Sequence, residues 1–104
     1  MSDEIQNGDE LIQKLNRETG KIPWRELQRF FAAGKAIYVE ETLDLIQVAA
    51  KFAKDEAAEI EPLMQQNQVK RVDDETAAIW LDKDFLVWAV VVSPWVLVQL
   101  VAKN

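Results

Sequence analysis

The stretch FLVWAVVVSPWVLVQLVA, residues 85–102, decides how the rest of this chain is read. Its eighteen residues carry no charge and fifteen of them are apolar, a length at the threshold for a membrane-spanning helix. Seven are valine, a β-branched type that favours strands. Pro94 follows Ser93 near the middle, where it breaks a helix and suits a turn. Gln99 would be a lone amide in lipid. The segment therefore reads as a buried β-hairpin turning at Ser93-Pro94, with a tail anchor as the rejected alternative. Along its first strand Leu86, Trp88, Val90 and Val92 point one way, and Phe85, Val87, Ala89 and Val91 the other. Both sets are apolar, so neither face can be fully wet.

Upstream, the chain alternates helical and strand-like runs. Leu11, Ile12 and Leu15 recur at helical spacing, which predicts a first helix over 9–19 ending near Gly20. Pro23 suits the first turn of a second helix carrying an apolar stripe of Trp24, Leu27, Phe30 and Phe31, with Gly34 as its stop. AIYV at 36–39 and VKRV at 69–72 read as short strands. Residues 43–54 are apolar around most of a helix and should be central and buried. Asp55 is placed to cap a helix through about Gln66, kinked or restarted at Pro62. Asp73 or Asp74 is placed to cap another through Leu81, with Ala77, Ala78, Trp80 and Leu81 inward. The expected architecture is α+β: four or five helices packed on a small sheet containing the C-terminal hydrophobic hairpin. One domain over 9–104 with a flexible tail at 1–8 fits 104 residues.

Composition narrows function mainly by exclusion. With no histidine there is no imidazole base, no Ser-His-Asp triad and no histidine metal ligand, so Ser93 has no partner of that kind to activate it. With no cysteine there is no disulfide, thiolate nucleophile or structural zinc site. No phosphate loop, dinucleotide fingerprint or calcium loop is present. The formal net charge of −6 argues against nucleic acid as the main partner. The acidic N-terminus is not a signal peptide, and with the missing cysteines it suggests a cytoplasmic protein. These exclusions lean away from an enzyme and imply no cofactor.

Three groups of side chains remain candidates. Lys14, Arg17, Lys21, Arg25, Arg29 and Lys35 make the window 14–35 net +4 and leave −10 elsewhere. Arg25 and Arg29 would lie four apart on one helix face, with Lys21 and Trp24 beside them. There they could hold a small anion or an acidic partner, unless they pair with the chain's own acidic surface. Trp24, Trp80, Trp88 and Trp95 are many for this length, and Trp95 after Pro94 is the one most open to display. Glu40, Glu41 and Asp44 could ligate a cation in a carboxylate-based enzyme, or simply complement a helix N-terminus. The same choice applies to Asp73-Asp74-Glu75 and to Asp82 with Asp84. The doubly apolar strands add a prediction of self-association, first of all as a homodimer.

LNRETGKIPWRELQRFFAAG (15–34) and VVVSPWVLVQ (90–99) resemble signatures of a small bacterial family of uncharacterised proteins, the Pro94–Gln99 run being the more distinctive. The resemblance covers roughly Leu11 to Val101 and implies a stand-alone bacterial cytoplasmic domain. It brings no catalytic residues with it. The reading that results is a non-enzymatic, self-associating interaction module, with the small carboxylate-based enzyme as its rival.

Overall fold

The computed structural model describes residues 3–102 and 104. Helix α1 (Asp3–Glu18) leads into strand β1 (Gly20–Pro23) and a 3₁₀ turn (Trp24–Leu27), then α2 (Gln28–Ala32) and β2 (Ala36–Val39). Helices α3 (Leu45–Ala53) and α4 (Ala57–Gln65), strand β3 (Val69–Arg71) and helix α5 (Asp74–Asp82) follow. Strands β4 (Leu86–Val92) and β5 (Trp95–Leu100) form the expected hairpin, turning at a cis Ser93–Pro94 peptide. The fold is α+β, and no described helix is long and apolar enough to cross a membrane. Helix α1 begins inside the segment 1–8 read above as a tail, of which Met1 and Ser2 lie outside the described residues.

The five strands make one mixed sheet in the order β1-β4-β5-β2-β3. The hairpin thus fills its middle: β4 pairs antiparallel with β1 and β5, while β5 pairs parallel with β2. Register explains why both faces of the hairpin are apolar. Val90 and Leu97 belong to one core cluster with Leu15 of α1 and Leu45, Val48, Ala49 and Ala50 of α3. Val87, Val96 and Val98 belong to a second cluster with Trp24, Leu27, Ala77 and Trp80. Helices α1, α3 and α4 cover the first face; the 3₁₀ turn, α2 and α5 cover the second. The doubly apolar strands that suggested self-association are therefore covered on both faces within the chain, Trp88 and Val91 apart, because several short helices suffice for strands of three to seven residues.

Local chemistry departs from the sequence reading at identifiable points. The second helix does not begin at Pro23, which instead closes β1 opposite Leu86. Strand β1 went unread because Gly-Lys-Ile-Pro has little strand character of its own; the open edge of β4 supplies its hydrogen bonds. Helix α1 ends at Glu18, where the Thr19 backbone N–H and hydroxyl both donate to the Leu15 carbonyl at 3.0 and 2.6 Å, and Gly20 opens the strand instead of terminating the helix.

Gly34 does stop α2 as expected, at φ +72°. Asp55, Asn67 and Asp84 do the same for α3, α4 and α5 at φ +58°, +60° and +52°. Each is followed by the paired backbone bonds of a Schellman ending, such as Gln68 N–H to the Leu63 carbonyl at 2.9 Å. Asp55 is thus a helix stop and not the cap of α4, which is preceded by Glu56 and runs through Pro62 without restarting. Asp73 caps α5, donated to by the Thr76 N–H at 2.7 Å. In that helix Ala77 and Trp80 face inward, whereas Ala78 and Leu81 face solvent: the helix meets the sheet along a narrower stripe than its apolar content implied.

Candidate functional site

Strands β2 and β5 run parallel, and their carboxyl ends open onto the loop that enters α3. Such an end is where parallel sheets commonly hold ligands, because loops diverge there and leave a crevice. Here the crevice is a groove of about 380 Å³ lined by Asn16 and Thr19 of the α1–β1 junction, Leu43 to Ile46, Trp88 and Gln99. The side-chain amide of Gln99 holds the loop in place by donating to the carbonyls of Glu40 and Leu43, at 3.0 and 2.8 Å. Asp44 caps α3, its Oδ1 accepting from the N–H groups of Ile46 and Gln47 at 3.0 and 3.2 Å. Trp88, 38% exposed, forms one wall, and the Lys21 ammonium lies 4.9 Å from its ring centroid.

The basic candidates are split between two sides of the sheet. Lys21 faces Trp88 across the β1–β4 pair, on the side covered by α1 and α3. Arg25 and Arg29 are exposed on the other side, Arg25 in the 3₁₀ turn and Arg29 in α2, so they do not share one continuous helix. Arg25 pairs with Asp84, both side chains more than half exposed, and the Arg29 guanidinium lies 5.8 Å over the ring of Phe30. The backbone N–H of Trp24 is not open to an anion, because it donates to the Phe85 carbonyl at 2.9 Å. Trp24 itself is 0% exposed, and its indole N–H donates to the Ala77 carbonyl at 3.1 Å. It is a core side chain. Trp95 is half-buried against the first core cluster, with the Arg71 guanidinium 5.9 Å over its ring, away from Arg25 and Arg29.

The acidic candidates sit together in the β2–α3 loop, each with its own local task. Glu40 accepts from the Thr42 hydroxyl at 2.9 Å, Asp44 caps α3, and Glu41 faces solvent. Among the described residues no three acidic side chains are grouped to share a metal ion. Nearby, burial and then the charges of Glu41 and Glu40 push the Tyr38 hydroxyl above its ordinary range.

Trp88 and Asp44, both singled out from the sequence, share this groove, with Lys21 over the Trp88 ring; Asn16, Thr19 and Gln99 line it without having been named as site residues. Gln99 was the available signal. A single amide in a buried strand must find partners, and those partners mark a loop packed over the strand end.

The family of proteins of unknown function designated DUF2288 matches residues 10–100. The chain belongs to this family. As a DUF2288 protein it is similar in structure to a Pseudomonas aeruginosa protein solved in solution by NMR, with a TM-score of 0.80 and 39% sequence identity over 89% of this chain and 86% of that one. No curated protein matches the chain. The match spans nearly the whole segment expected from the two quoted motifs, including the carboxyl-end groove.

Proposed function

We propose that this DUF2288 chain is a non-catalytic interaction module that meets an acidic partner or a small anion along the outer edge formed by the end of α1, β1, the 3₁₀ turn and α2. The observation that carries this reading is the segregation of charge. Residues 14–35 are net +4 in a chain of −6, and they fold as consecutive elements, the end of α1, β1, the 3₁₀ turn and α2, of which β1 is an edge strand of the sheet. Within that window only Arg25 makes an ion pair among the described residues, and that pair is exposed and weakly held. Arg29 and Lys21 extend the basic surface to either side of the sheet edge.

Self-association belongs to the same reading, but through an edge or through the exposed apolar side chains and not through an open sheet face. Val91, 56% exposed near the hairpin tip, is the most prominent of these side chains. The bacterial relative supports a bacterial setting, and the absence of cysteine supports the cytoplasm.

The test is an NMR titration of the full chain with inorganic phosphate and with a short oligoglutamate peptide. Saturable amide shifts over Trp24–Arg29 are expected, weakened by added salt and abolished by Arg25→Glu with Arg29→Glu. If that segment does not respond to either probe, the reading is overturned. Sedimentation showing only monomer at high concentration removes its self-associating component.

A further inference from the structure

The carboxyl-end groove has a chemical bias that its residue types alone conceal. Thr19 donates its hydroxyl hydrogen to the Leu15 carbonyl, so only its oxygen lone pairs remain. Gln99 has directed its amide nitrogen at two loop carbonyls, which leaves Oε1 as an acceptor. Asp44 uses Oδ1 for both capping bonds and keeps Oδ2 unpartnered among the described residues. Three of the four polar side chains lining the groove other than Trp88 can thus only accept; Asn16 keeps donors, as does the Trp88 indole N–H in the wall. The N-terminal N–H groups of α3 at Ile46 and Gln47, which would favour an anion, are already taken by Asp44.

An acceptor-rich crevice with a carboxylate and an indole wall suits a donor-rich cation. The chain itself supplies the precedent, because the Lys21 ammonium already lies over the Trp88 ring. From this we infer that the groove binds a primary ammonium group on a short aliphatic chain, its charge set against Trp88 and Asp44 and its hydrogens shared among Asp44, Gln99 and Thr19. A volume of about 380 Å³ accommodates a small diamine or the end of a lysine side chain. The overall −6 charge draws such cations toward the molecule. Lys21 competes for the same ring and acts as an internal placeholder that the ligand displaces. This site shares Lys21 with the acidic-partner edge, but Arg25 and Arg29, on which that reading is tested, face the other side of the sheet.

The test titrates the isotope-labelled full chain with putrescine and, separately, with a blocked tripeptide whose central residue is lysine; the matching aliphatic diol serves as the uncharged control. Saturable shifts are expected at the Trp88 indole N–H, the Gln99 side-chain amide and the backbone amides of Thr19 and Leu43–Ile46, and none from the diol. Which probe saturates at the lower concentration assigns the source as a free amine or a lysine side chain. Asp44→Asn keeps a capping oxygen but removes the charge. It should weaken binding by roughly tenfold, as should Trp88→Leu. Lys21→Met should tighten binding by vacating the ring. The proposal is overturned by absent or non-saturable shifts, by equal shifts from the diol, by undiminished binding to a folded Asp44→Asn chain, or by weaker binding to Lys21→Met. Failure at Arg25 and Arg29 leaves it standing.

Discussion

The indole N–H of Trp24 donates to the carbonyl of Ala77, 3.1 Å away and fifty-three residues along the chain, and so fastens the 3₁₀ turn to α5. The same indole packs edge-on against Trp80 and Phe31, with ring centroids 5.2 and 5.8 Å away. Truncating it removes a fully buried ring from the centre of the second core cluster. Trp24→Ala should therefore cost about 3–5 kcal/mol, a large part of the stability of a domain this size. Denaturant unfolding measures this directly, and a loss below about 1 kcal/mol would show that the cluster re-forms without the ring.

Asp73 sets an acid limit on α5. The Thr76 backbone N–H donates to its carboxylate, and with help from Lys70 this holds the carboxyl below its ordinary 3.8. Because the folded-state value is the lower one, the stabilisation is complete above pH 3.8 and is lost as pH falls through the folded-state value. Asp73→Ala should cost about 0.5–2 kcal/mol near neutral pH, whereas Asp73→Asn should keep most of the cap and flatten the acid dependence. Urea melts between neutral and acid pH distinguish the two.

Asn67 ends α4 in the left-handed region at φ +60°, immediately before β3. A Cβ without a polar side chain is disfavoured in that geometry. Asn67→Ala should destabilise by roughly 1 kcal/mol, while Asn67→Gly should be neutral or slightly stabilising. Thermal melts of the pair check the assignment, and identical behaviour of Ala and Gly would contradict it.

Tyr38 is the chain's single tyrosine, so tyrosinate absorbance reports one group. Burial first, then Glu41 and Glu40, raise its hydroxyl above 10.0. The alkaline sign is opposite to that of Asp73: the contribution is present below pH 10.0 and is lost as pH rises through the folded-state value. A midpoint above 10.0 in the folded chain is expected, falling when Glu41→Gln removes one neighbouring charge. A midpoint at or below the free value would contradict this environment.

What was legible in the sequence was the apolar periodicity. Residues 85–102 announced a hairpin through valine and proline, and AIYV and VKRV announced strands by composition. What escaped depended on partners distant in sequence. β1 is a strand because β4 lies beside it, and Pro23 ends it for the same reason. Asp55 reads as a cap and Asp84 as one of a pair of acidic candidates, and Asn67 carries no signal, because an aspartate or asparagine serves either end of a helix and only the backbone around it decides. The groove was harder still. Its bias toward a cation follows from which hydrogens Thr19 and Gln99 have already committed, a property of the folded loop and not of the residue types.

The sheet order carries one more consequence, for the timing of folding. β5 is the last strand in chain order yet lies third of five in the sheet, between β4 and β2. Until it is in place, β1-β4 and β2-β3 are two separate ribbons with no backbone ladder between them, and isolated two-stranded ribbons are marginally stable in water. The strand that joins the two halves of the sheet is thus the last that the chain supplies, Trp95–Leu100.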